Sequence, residues 1–97
     1  MVGYLKTGDE TESEITQKAA FEVSFYPNPA NNQITIEAPE NTETIKMMLI
    51  SAEGVVVETK QFNSMEVIYN LQLIKPGVYL LRFEKDGMVV NKRLIVM

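Results

Sequence analysis

The residues of this chain best suited to acid/base chemistry are its carboxylates, and the closest-spaced candidates are Glu84 with Asp86 and Glu40 with Glu43. Proton transfer by such a pair requires an apolar or like-charged environment that holds one carboxyl neutral. Both pairs fall in polar turn or strand-end sequence, which implies solvated surface charge and no pocket. The acidic run Asp9 to Glu14 suggests a calcium loop, but it lacks the glycine and the twelfth-position glutamate of an EF-hand. Asn31-Asn32-Gln33 is not a glycosylation sequon, because its third residue is glutamine. Histidine and cysteine are both absent. With them go the commonest general base, the commonest metal ligand, the partner of most Ser or Cys nucleophiles, and any thiolate site or disulfide. The expectation is a non-enzyme with no catalytic residue, no metal and no cofactor.

What these residues decorate is small. Ninety-seven residues make one domain, and a domain of this size buries only about 60–65% of the surface its unfolded chain exposes. No apolar stretch approaches the ~20 residues of a membrane span, and the N-terminus has no apolar signal-peptide core. The net charge of −4 disfavours a nucleic acid partner. Charge is unevenly distributed: residues 1–74 carry four basic and eleven acidic groups, whereas residues 75–97 carry five basic and two acidic ones.

Met1 to Ala20 combines Gly3 and Gly8 with the acidic cluster, and such a segment buries too little apolar surface to offset its ordering entropy. Residues 1–20 are therefore expected to be a flexible acidic linker at the end of an upstream region, with a single unstable helical turn at Ile15 to Ala19. From Phe21 the hydrophobic period becomes two. Phe21, Val23 and Phe25 alternate with polar residues, and so do Ile34, Ile36 and Ala38. Ile45 to Ile50 is apolar on both parities after Lys46, which predicts a sheet-centre strand covered on both faces. Ser51-Ala52-Glu53-Gly54 predicts a type I turn into a strand at Val55 to Gln61. Met65, Val67, Tyr69, Leu71 and Leu73 predict a fifth strand with all five on one face. Lys75-Pro76-Gly77-Val78 has proline and glycine at the centre of a type II turn. Asp86-Gly87 predicts a two-residue hairpin loop. Counting back from it pairs Phe83 with Val90, Leu81 with Lys92 and Tyr79 with Leu94. Seven short strands with such turn spacing predict an all-β fold, a seven-stranded antiparallel immunoglobulin-like sandwich.

Two blocks remain that this architecture does not by itself require. The first is Tyr26-Pro27-Asn28-Pro29, which locally is a way to leave an edge strand. The second is the C-terminal hairpin, with Gly77, Tyr79, Asp86-Gly87, Lys92 and the tail Leu94-Ile95-Val96. Lys92 shares the face of Tyr79, Leu81 and Phe83, so its ammonium is expected to snorkel from the sheet. In this order, with Gly54 and Leu73 between them, the blocks resemble the type A C-terminal sorting domain of cargo of the type IX (Por) secretion system of Bacteroidetes, over Phe25 to Met97. Two departures are visible. Three residues separate Leu73 from Gly77 where two are commoner, and the tail ends Val96-Met97 where many members finish on a further basic residue.

The resemblance implies a C-terminal secretion signal, residues 21–97, that directs a cargo protein across the outer membrane. A surface sortase then usually cuts in the linker, here between Thr7 and Phe21. Implied partners are the translocon and sortase and the upstream cargo domain of the same protein, and the implied location is secreted or cell-surface, reached via the periplasm. The recognition residues it implies are Tyr26, Pro27, Asn28, Pro29, Gly77, Tyr79, Gly87, Lys92, Leu94, Ile95 and Val96. The free edge at Met88 to Val96 adds the expectation of a weak or strand-swapped homodimer. The competing class is an immunoglobulin-like accessory module for carbohydrate or a protein partner. Such a module would gather exposed aromatics in loops, whereas at least five of the eight aromatics here hold apolar strand parity.

Overall fold

The computed structural model describes residues 21–39 and 43–97. The acidic linker, the helical turn and the cleavage segment expected before Phe21, and Glu40 of the second carboxylate pair, lie outside the described residues. Among the described residues are seven strands and no helix: β1 Ser24–Tyr26, β2 Gln33–Glu37, β3 Ile45–Ser51, β4 Val56–Phe62, β5 Glu66–Asn70, β6 Gly77–Lys85 and β7 Met88–Val96. They form two antiparallel sheets, β1-β2-β5 and β4-β3-β6-β7. The sandwich is thus the expected one, with the inward parity of both sheets supplying the core. Ile34, Ile36, Ile45, Met47, Leu49, Leu71, Leu81, Phe83 and Leu94 are its largest fully buried side chains.

The C-terminal hairpin has the register obtained by counting from its turn: Phe83 pairs with Val90, Leu81 with Lys92, and Tyr79 with Leu94. Asp86 and Gly87 both take positive φ, 51° and 76°. This is the mirror-image turn whose twist matches that of the flanking strands. Gly54 N–H donates to Ser51 O over 2.9 Å and closes the turn between β3 and β4.

Four details differ from the sequence reading. Phe21 and Val23 are buried as their parity requires, but β1 itself is only Ser24–Tyr26, because β2 pairs with it there alone. β3 is central in its sheet, yet one face is open: Met48 and Ile50 are only half-buried. β5 stops at Asn70. The Asn70 carboxamide accepts from Gln72 N–H at 2.7 Å, and Ile74 N–H donates to Leu71 O at 2.9 Å. These bonds turn the chain, so Leu73 is 97% exposed while Ile74 packs on the core. The reversal is complete before Lys75, so the type II turn is not formed. Gly77 has φ +156°, not the ~+80° of that turn, and is already paired with Val96 as the first residue of β6.

On the side of the sandwich formed by the edge strands β4 and β5, the Tyr69 hydroxyl donates to Glu58 of the other sheet. Tyr69 is buried, and burial, the hydrogen bond to Glu58 and the carboxylate charge all raise its pKa. The folded state therefore holds the neutral phenol more tightly than the unfolded chain does. Stability from this group is complete below the unfolded tyrosine pKa of about 10 and is lost as pH rises beyond it towards the folded pKa.

Two measurements check this description. Leu71→Ala should cost about 2–5 kcal/mol in urea unfolding, and Leu73→Ala no more than about 0.5 kcal/mol, although the alternation alone treats them alike. Between about pH 8 and about pH 11 the wild-type urea midpoint should fall more steeply than that of Tyr69→Phe, and parallel profiles would remove Tyr69 as the cause.

Candidate recognition site

Proline has no N–H, so Pro27 and Pro29 cannot contribute donors to a strand ladder. The residue between them does so through its side chain. Asn28 Nδ2 donates to Arg93 O at 3.0 Å, and Asn28 Oδ1 accepts from Ile95 N–H, also at 3.0 Å. A carboxamide has the same donor and acceptor as a peptide group, and here it pairs with the outer edge of β7 as a strand residue would. Both flanking bonds, Tyr26-Pro27 and Asn28-Pro29, are cis. Two residues on, backbone takes over: Ala30 N–H donates to Ile95 O and Met97 N–H to Ala30 O, each at 2.8 Å, in a parallel bridge between Ala30 and Val96. Ala30 is fully buried.

The two sequence blocks, about 65 residues apart, are thus one structure held by four hydrogen bonds. The chain leaves β1 at the edge of one sheet, clasps β7 at the edge of the other, and returns to β2. A free edge was expected along Met88 to Val96. Its C-terminal part is instead occupied by the chain's own Asn28 and Ala30. By the alternation of backbone direction along a strand, the outward groups N-terminal to the clasp are those of Val89 and Asn91 and the N–H of Arg93.

Gly77 and Tyr79 stand beside the clasp. The Tyr79 hydroxyl donates to Lys75 O at 2.6 Å, a tyrosine corner of the kind that fixes the start of the corresponding strand in immunoglobulin-like sandwiches. A Cβ at Gly77 would sit 3.7 Å from Tyr79 Cε1, an ordinary contact, but φ +156° is a conformation that side chains rarely adopt. Glycine is needed here for its backbone, and a β-branched substitute would strain the corner.

The other expected residues divide by position. Leu94 and Val96 are core residues. Ile95 faces outward and is half-buried, and Lys92 points inward but is half-exposed at the edge strand. The exposed Tyr26 hydroxyl donates to Glu37 at 3.1 Å, and this bond, slight burial and the charges of Glu37 and Glu66 raise its pKa. Gly87 lies at the hairpin tip, the length of a nine-residue strand from the clasp, or about 30 Å. Asn28, Gly77, Tyr79, Leu94, Ile95 and Val96 therefore form one end of the molecule, and Gly87 the other. Sequence reasoning missed Ala30 and Arg93, and no local pattern marks either. The paired prolines flanking a carboxamide were the one available sign of a side chain replacing backbone.

Glu84 and Asp86 each meet a different partner. Glu84 accepts from Arg82 Nε at 2.9 Å, and Asp86 instead meets Glu43, whose carboxyl it holds above the usual range by a shared hydrogen bond and by its charge. A groove of about 520 Å³ does lie between β4 and β5, lined by Val57, Glu58, Lys60, Asn70, Gln72, Leu73 and Ile74. None of the residues expected in recognition lines it.

A family model for secretion system C-terminal sorting domains matches residues 24–97. The chain belongs to this family. It is a sorting signal of a secretion system, as the order of its two motif blocks implies, and hence part of a secreted or cell-surface protein. A solved structure with the same fold is that of PorZ, described as an essential bacterial surface component of the type IX secretion system of Porphyromonas gingivalis. The TM-score is 0.64 at 19% identity, and the match covers 77% of this chain but only 11% of PorZ. No curated protein sequence matches the chain.

Asn28→Ala tests the clasp directly. It should cost about 1–2 kcal/mol, the net worth of two hydrogen bonds, and should speed hydrogen exchange at the Ile95 amide well beyond that at Leu81. Unchanged exchange at Ile95 would mean that the tail is held by other contacts.

Proposed function

We propose that this domain is the export address of a larger cargo protein, read by the outer-membrane translocon of a type IX system after the cargo has reached the periplasm. Residues 1–20 are then the linker, and a surface sortase cuts within Thr7 to Phe21. The reading that fits best has no catalytic role for the domain; activity resides in the upstream cargo.

The single observation that carries this reading is the clasp. The two segments by which the chain resembles type IX cargo are far apart in sequence yet are hydrogen-bonded to one another. Structural upkeep alone would need a closed edge, not a proline-flanked carboxamide joined to a basic hairpin. With Leu94 and Val96 buried, the accessible groups that support this reading are those of Asn28, Ile95 and Lys92. The fold of PorZ, itself a type IX surface component, supports the same assignment. A homodimer, if the domain forms one, pairs through the open edges of β4 and β5 or the Met88 to Lys92 stretch, since the rest of β7 is occupied.

A reporter carrying a signal peptide and this chain should reach the surface of a type IX-competent bacterium and remain inside a strain without the translocon. Equal display in both strains would overturn the reading. Within that assay, Lys92→Ala should lower display while costing about 1 kcal/mol or less of stability, because it truncates a half-exposed side chain. Full display would move recognition away from the basic hairpin.

A further inference from the structure

One end of the solvent face of the four-stranded sheet is apolar where an antiparallel sandwich would ordinarily be polar. The cross-strand register sets Val56, Ile50, Leu80 and Arg93 in one row and Val78 and Ile95 in the next. Val56 is 50% exposed, Val78 48% and Leu80 36%, and Ile50 and Ile95 are half-buried on the same side. Contiguous apolar surface of this kind marks an interaction site more often than scattered single residues do. It is also continuous with the clasp, because Ile95 and Arg93 supply the backbone groups that Asn28 binds.

Charge indicates what covers it. The strand residues on this face carry three cations, Lys46, Arg82 and Arg93, and one carboxylate, Glu84. Glu84 is engaged by Arg82, and among the described residues no carboxylate forms an ion pair with Arg93. Two copies stacked by this face would bring like charges together. A complementary partner has apolar side chains opposite Leu80 and Val78 and a carboxylate opposite Arg93.

We propose that this face docks a protein surface of that chemistry, apolar with an acidic rim, and that the secretion machinery presents it. The inference rests on the export reading above, and the experiment separates the two. The reporter fusion is compared as wild type, Leu80→Lys, Leu80→Thr and Arg93→Glu, with the urea midpoint of each purified domain measured alongside.

Each substitution alters an outward side chain, so the midpoints should stay close to wild type. Leu80→Lys should reduce translocon-dependent display about tenfold or more, the scale of losing a central interface anchor. Arg93→Glu should reduce it severalfold, because it sets like charges against each other. Leu80→Thr, which suits an exposed strand, guards against a folding defect in the lysine variant. If wild type is displayed only with the translocon and all three variants match it, the face is not the docking surface and the export reading stands. If wild type itself shows no translocon dependence, the export reading fails first. Light scattering that finds a wild-type dimer turned monomeric by Leu80→Lys would assign the face to a second copy and overturn the proposed partner.

Discussion

The pairing of the Asn28 carboxamide with the backbone of β7 is the interaction on which the rest of this domain's organisation depends. A sheet edge presents unpaired N–H and C=O groups that attract foreign strands, and a last strand is tethered by one turn alone. Asn28 and Ala30 address both problems at the C-terminal end of β7. They satisfy its outward backbone groups, and they anchor the tail to a segment that also belongs to the other sheet. Val96 and Leu94 are held in the core beside this clasp.

The two open sides of the sandwich are managed differently. On the β1/β7 side the main chain crosses between sheets. On the β4/β5 side the chain passes from one sheet to the other through residues 63–65, and side chains link the two strands, Tyr69 to Glu58, with Lys60 3.9 Å from the same carboxylate. That side keeps its edges free and leaves the groove beside Leu73. The asymmetry follows from where the prolines are. A segment with no N–H donors at Pro27 and Pro29 cannot extend β1, so the chain is released to reach the opposite sheet.

Much of this fold was legible in the sequence because local rules agreed with the global structure. The Asp86-Gly87 turn fixes a register, and nine residue pairs follow from it by counting. Alternation named the buried face of β2, β5 and β6 correctly. It failed at Leu73 because periodicity carries no stop signal: the strand ends where Asn70 bonds to Gln72 N–H, and that competition between side chain and ladder is not visible in a pattern of apolar residues. It also fails at β3, where an apolar run implies burial on both faces and Met48 and Ile50 instead border solvent. The residues of the candidate site were found as two separate motifs. Their meeting was out of reach, because a contact between Asn28 and Ile95 has no local correlate.

That long-range contact bears on how a sorting signal can be read. The accessible groups proposed for recognition, those of Asn28, Lys92 and Ile95, stand side by side only after both sheets have formed and docked. The unfolded chain has the same residues and no site. Loss of a core residue such as Leu71 and loss of Asn28 therefore perturb the domain by different routes, the first by depopulating the sandwich and the second by loosening one edge of it. On the reading proposed above, recognition would be coupled to completed folding. The two groups that meet Asn28, Ile95 N–H and Arg93 O, belong to β7, whose register on β6 is itself set by the Asp86-Gly87 turn.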